Sequence, residues 1–250
     1  MGLFRKPEVR RGTIDVGWLM LDPKHSVIFF PPERVSRRSQ QKPHAKSASR
    51  CPAILDVESR YFRIRCPYDI HLRFTRDKDG KPGLKNMLGD QSPVRKKQLS
   101  RIVHLMAEAE WRAPQHPVLQ ITAPYVFLAD AHVMMSQLPP LMDFQPNPPP
   151  GLIMSGRLPI DIWPRPLNWA FEWHDTKKDL ILRRGDPWFY VNFETDRPDS
   201  PFRMVEAELT DELAAYLEKI GDTVGYVSRT FSLFKAAERI RPKKLLVPSA

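Results

Sequence analysis

Bulky apolar residues occupy every second position through two long stretches of this chain. In YFRIRC (61–66) Phe62, Ile64 and Cys66 share one parity, against Tyr61, Arg63 and Arg65. After Pro67 the rhythm resumes in DIHLRF, where Ile70, Leu72 and Phe74 oppose Asp69, His71 and Arg73. In LNWAFEWHD (167–175) Leu167, Trp169, Phe171 and Trp173 oppose Asn168, Ala170, Glu172 and His174. Farther on, Phe189, Val191 and Phe193 oppose Trp188, Tyr190 and Asn192. A period of two puts alternate side chains on opposite faces of a strand, so each stretch reads as a strand with one face in a core.

Other segments add elements. WLML and VIFF, within 13–30 and parted by DPKH, predict two strands around a turn. Residues 118–138 predict two more, VLQIT and YVFLADAHVMM, with proline between them. DKDGKPG is a turn. LNWAFEW and LILRR stand one short turn apart, which predicts a hairpin. Leu99, Ile102, Val103 and Met106 recur at helical spacing, predicting a helix near 93–111 with Ser92 as N-cap and Pro93 in its first turn. Thr210 begins a second helix with the stripe Leu213, Tyr216, Leu217 and Ile220, stopped by Gly221. A third carries Val224, Val227, Phe231 and Phe234 and ends before Pro242. The polar, basic run within 33–50 predicts a flexible loop, and QPNPPPG (145–151) a stiff, extended connector.

The sum is a mainly β (α+β) fold in a single domain over 1–250. It is an antiparallel β-sandwich or jelly-roll-like core with one inserted helix and a C-terminal helical pair over 210–240. Composition points the same way. The chain has 26 Pro against 11 Gly, the reverse of ordinary usage. Proline is shut out of helix interiors and central strands, so this many imply numerous element ends.

A formal charge of +10 suits an anionic ligand or nucleic acid, although the cations are spread along the chain rather than gathered in one run. Two cysteines, without a CxxC pair, and a basic start without an apolar core predict a reducing, cytoplasmic location. The stretch 117–142 is interrupted by Pro124, Asp130 and His132, so no membrane span is expected.

The sequence contains no GxxxxGK[ST], GxGxxG, GxSxG or HExxH motif, which argues against nucleotide-fold enzymes, hydrolase elbows and the common zinc proteases. Three acid–imidazole pairs remain: Asp69 with His71, Asp130 with His132, and Glu172 with His174. On strands, residues two apart are same-face neighbours, so each pair could offer two ligands to one ion. Two His and one carboxylate is the set that holds iron(II) in oxygenases, which makes Asp69, His71, His132, Glu172 and His174 the candidate ligands. All three pairs run acid first, whereas the double-stranded-helix oxygenases run H-x-D or H-x-E; the alternative is the wet side of a sheet.

A second constellation is aromatic. Trp163, Trp169, Trp173, Trp188, Phe189 and Tyr190 crowd together, with Arg165, Arg183 and Arg184 nearby. They form either a core or a surface that stacks on bases or rings. The ligand-binding reading takes an anionic or aromatic molecule into the sandwich mouth, lined by Arg63, Arg65, Arg73, Trp188 and Tyr190. A third reading makes the chain an interaction component of a larger assembly with 33–50 as its arm. Cys66, on an apolar face, reads as inert packing, and nothing beside Cys51 makes it a nucleophile.

SGRLPIDIWPRPLNWAFEW followed by LILRRGDPWFYVNFE resembles a group of uncharacterised bacterial and phage proteins. In those a tryptophan-bearing strand is followed by a G-D/E-P turn into another strand; here the turn is Gly185, Asp186 and Pro187. The resemblance covers about 150–195. The same step is similar to one in cupin-like sandwiches, where the turn sends the following strand across the barrel. Neither resemblance carries a reaction or catalytic residues.

Overall fold

The computed structural model describes residues 12–21, 30–36, 47, 50–197, 200–223 and 230–249. The alternating stretches form strands, and the fold is mainly β with helices at its margins. One sheet runs β14 (Phe202–Glu206), β1 (Ile14–Met20), β7 (Val118–Leu128), β11 (Pro166–Trp173) and β9 (Gly151–Ile153), with β6 (Val103–Leu105) also paired to β7. A second runs β10 (Gly156–Pro159), β8 (Met134–Leu138), β13 (Pro187–Glu194), β3 (Tyr61–Arg65) and β2 (Glu33–Arg34). The third is β12 (Leu180–Leu182), β4 (Ile70–Arg76) and β5 (Pro82–Asn86). All pairings between these strands are antiparallel except β1 with β14.

The predicted parity of β11 holds: Leu167, Trp169, Phe171 and Trp173 are buried in the main core. There they join Phe62, Ile64, Phe189, Val191 and Phe193 from the second sheet. Ring contacts such as the tilted Phe127–Phe193 pair, 5.9 Å between centroids, and the tilted Trp169–Trp188 pair at 6.1 Å knit the two sheets together. Along β13 both parities are buried: Trp188 packs on Tyr68 and Trp169, and the Tyr190 hydroxyl is covered by Asp143, so neither face is open.

Local pattern and tertiary pairing disagree in several places. The helix expected near 93–111 is only α2 (Lys96–Ile102), starting after Arg95. Ser92 does not cap it; its hydroxyl donates to the Val94 carbonyl. Past Ile102 the backbone joins β7, with Val103 opposite Ile121 and Leu105 opposite Leu119, so strand hydrogen bonds replace helical ones. The two strands expected over 118–138 become one long β7 running through Pro124, then β8. Pro124 is tolerated because the β7–β11 register breaks there, from Val126 opposite Pro166 to Ala123 opposite Leu167. The expected hairpin of β11 and β12 does not form. β12 pairs with β4 instead, burying Leu180 and Leu182.

A helix that the pattern did not suggest, α1 (Pro52–Arg60), precedes β3 and buries no residue. Its apolar residues, Ile54, Leu55 and Val57, all stay at least partly exposed, so no core contact marks it as an element. The strand expected at VIFF falls largely on 27–29, outside the described residues. Of the loop expected over 33–50, Glu33–Arg34 instead form β2 against β3, where the edge of β3 offers them hydrogen bonds, and 37–46 and 48–49 lie outside the described residues.

At the C-terminal end, α3 (Asp211–Thr223) is capped as expected, with Thr210 Oγ1 accepting from the Leu213 amide at 3.2 Å. It continues past Gly221. α4 (Thr230–Arg239) follows, while Val224, Val227 and the side chain of Phe231 lie outside what is described. Leu213, Tyr216 and Ile220 pack with Leu19, Val126, Leu128 and Trp163 in a second core on the back of the first sheet. Arg241 then ties the tail down, donating to the carbonyls of Asp161 (2.5 Å) and Asp130 (3.1 Å). No helix among the described residues is long and apolar enough to cross a membrane.

Candidate metal centre

Glu172 is on the outward parity of β11, yet it is only 2% exposed. Its cover comes from the loop between β6 and β7 and from the end of its own strand. Arg112 donates through Nε (2.6 Å) and Nη2 (2.5 Å) to Oε2. His174 Nε2 lies 2.9 Å from Oε1, and His116 Nδ1 lies 3.6 Å from the same oxygen. The two imidazoles stack with centroids 4.4 Å apart and planes 21° from parallel.

The backbone makes this arrangement specific. The Trp173 amide donates to the Pro117 carbonyl at 2.9 Å, which draws the His116 end of the loop to the end of β11. The Trp173 indole donates to the carbonyls of Asp175 and Lys178, closing the turn that follows. The His174 amide donates to Pro150 O at 3.1 Å. Beside it Gly151 approaches so closely that a Cβ there would stand 2.1 Å from Glu172 O and 2.9 Å from the His174 nitrogen. Only glycine lets β9 lie at that distance.

Burial pushes the Glu172 carboxyl upward, but hydrogen bonds from Arg112 and His174 outweigh it and hold the group below its ordinary value. The site therefore has an anionic centre. One ligand atom each from His116, Glu172 and His174 lie within 4.8 Å of one another. Ligands held at roughly 2.0–2.2 Å from one ion stand about 3 Å apart, so closure requires a shift of the order of 1 Å at the imidazoles. The His174 and His116 side chains are 45% and 29% exposed, which leaves one side of the cluster open. Arg112, on the second carboxylate oxygen, has the place of an outer-shell partner that fixes a ligand.

The remaining candidate ligands go elsewhere. Asp69 accepts from the Arg184 amide at 2.9 Å. His71 and Arg73 both bind Asp179, at 2.7 Å for the imidazole and 2.8 and 2.9 Å for the guanidinium. Hydrogen bonding from Arg73, reinforced by His71, overcomes desolvation and holds Asp179 down at about 2. His132 lies in the bend before β8, not on a strand, and contacts Asp161 at 3.1 Å. Asp130 accepts from the Leu245 amide. Of the three acid–imidazole pairs only Glu172 with His174 is a contact, and His71 and His132 do not join it. His116 and Arg112 were missed, since nothing in WRAPQHP signals a ligand; the antiparallel register placing Val118 opposite Glu172 brings them in.

The expected ligand wall is also divided. Arg63 forms a two-pronged pair with Asp143 (2.6 and 2.7 Å), and the Tyr190 hydroxyl donates to the same carboxylate at 2.5 Å. Arg65 grips Glu33 (2.8 and 2.9 Å) and the Gly185 carbonyl. Arg73 is occupied by Asp179, and Trp188 is 2% exposed at the edge of a separate cavity. Arg63, Arg65 and Arg73 thus already face carboxylates of their own chain. Compared with known proteins, the chain matches no family model, no curated protein and no solved structure.

Proposed function

We propose that this protein is a mononuclear metal protein in which His116 Nδ1, Glu172 Oε1 and His174 Nε2 hold a divalent transition-metal ion, iron(II) first among them. The carrying observation is the convergence of two imidazoles on one oxygen of a buried carboxylate whose other oxygen is held by Arg112. Two His and a carboxylate with open positions is the donor set of non-haem iron(II) oxygenases, and the same donors bind catalytic zinc. In this reading the ligands are presented from the end of β11 and the neighbouring loop on the outer face of the sheet, not inside the sandwich as in a cupin. Both cysteines are free, which supports the reducing, cytoplasmic setting that would keep iron in its divalent state.

Metal analysis of protein purified without chelator tests this, paired with cobalt(II) titration of the chelator-treated protein. One equivalent of bound metal and a saturable visible cobalt band, both lost in His174→Ala, are the expected result. Metal-free protein that gives no cobalt band at millimolar ion would overturn the proposal.

A further inference from the structure

The connector 144–150 does not lie flat on the β core. Between it and the strands is a cavity of about 230 Å³, with Trp169, Trp188 and Leu182 among its inner walls and Phe144 and Pro146 on the connector side. The connector is stiffened by Pro146, Pro148, Pro149 and Pro150. It is also pinned by Gln145, whose side-chain amide donates to the Pro187 carbonyl at 3.0 Å. The space is therefore preformed, and an occupant would forfeit little free energy to ordering the walls.

Its size and lining define the occupant. An apolar cavity of about 150 Å³ holds benzene, so this larger one suits two fused rings. At its mouth stand Phe144, 91% exposed, and Ile181, 44% exposed. An apolar guest would remove both from water. Arg183 and Asp186 also line the cavity. They sit at opposite ends of one turn, where the Asp186 amide donates to the Arg183 carbonyl. Their side chains are exposed, and among the described residues neither has a hydrogen-bonding or ion-pair partner. This contrasts with Arg63, Arg65, Arg73 and Arg112, each held by a carboxylate. A cation and an anion without partners among the described residues, beside an aromatic-walled cavity, complement a ligand that carries both charges.

We infer that this cavity, separate from the proposed metal centre, binds a free aromatic amino acid of indole size. The ring lies against Trp169 and Trp188, the carboxylate meets Arg183 and the ammonium meets Asp186. Calorimetric titration of the chelator-treated protein with L-tryptophan, 3-indolepropionate, tryptamine and indole tests each contact. L-tryptophan should bind most tightly. Arg183→Ala should weaken tryptophan and indolepropionate about threefold to fivefold, what an exposed ion pair supplies, and leave tryptamine unchanged; Asp186→Ala should weaken tryptophan and tryptamine to a like extent and leave indolepropionate unchanged. Ile181→Trp, a change at an exposed position that fills the mouth, should abolish binding of all four. No saturable binding of any of them at millimolar concentration overturns the inference. Indole binding as tightly as tryptophan, or rim variants that change nothing, overturns it equally.

Discussion

His116→Ala separates a metal centre from a structural ion-pair hub. His116 stands 3.6 Å from Glu172, beyond hydrogen-bond reach, and otherwise stacks on His174 at a partly open surface. Its removal should cost the metal-free fold under about 1 kcal/mol. Glu172→Gln is the contrast. It takes the charge from beneath Arg112 and His174, two charge-assisted bonds worth about 1.5–3 kcal/mol each. Arg112, 64% exposed, regains water, so the net loss is about 2–3 kcal/mol. Metal adds a second loss to both variants, since Glu172 and His116 are both ligands in the proposal, and for His116→Ala it is the larger part. An ion at a hundred times its Kd stabilises the wild type by about 2.7 kcal/mol, a rise of roughly 5–10 °C in Tm for a chain of this size. Losing one of three ligands should weaken binding by at least the roughly hundredfold seen for outer-shell partners. The same ion concentration then contributes only about 0.4 kcal/mol. Urea unfolding followed by circular dichroism, with and without cobalt(II) or zinc(II), reads both quantities. If His116→Ala keeps the full metal-dependent gain, or the wild type shows none, the assignment of His116 as a ligand fails.

Gly151→Ala should destabilise the protein by about 3 kcal/mol, because the added carbon meets backbone and β9 must leave β11; an unchanged urea midpoint would show that β9 is not held there. Asp179 is held at about 2 against an ordinary 3.8, first by Arg73. A depressed carboxyl stabilises the fold above its ordinary value and loses that contribution as pH falls from about 4 towards 2, so Arg73→Ala should flatten the acid limb of a plot of urea midpoint against pH, and an identical limb would count against the pairing. Tyr190→Phe removes one donor from Asp143 but leaves both Arg63 bonds, costing about 1 kcal/mol by denaturant titration; a loss as large as that from Asp143→Ala would mean the hydroxyl organises the pair. Burial pushes the Cys66 thiol up to about 12, whereas Cys51 is exposed. A thiol reagent at neutral pH should therefore titrate one cysteine in the folded protein and the second only on unfolding.

Sequence reasoning succeeded where the deciding forces are local. Steric alternation along a strand sorts Leu167, Trp169, Phe171 and Trp173 to one side whatever lies opposite. A threonine hydroxyl caps the helix that begins beside it, and Gly185, at φ +88°, makes the turn that its neighbours Asp186 and Pro187 suggest. It failed where two partners compete for the same backbone. Residues 103–105 have a helical spacing of apolar groups, but the open edge of β7 offers them strand hydrogen bonds. β12 has β11 close by in sequence, but β4 offers it the buried places for Leu180 and Leu182. The candidate site divides along the same line. The outward parity of Glu172 and its proximity to His174 could be read from nine consecutive letters. That Glu172 is buried, with Arg112 arriving from sixty residues upstream and His116 beside it, could not. Those contacts depend on the register in which β7 and β11 meet, and register is chosen by the packing of the whole sheet.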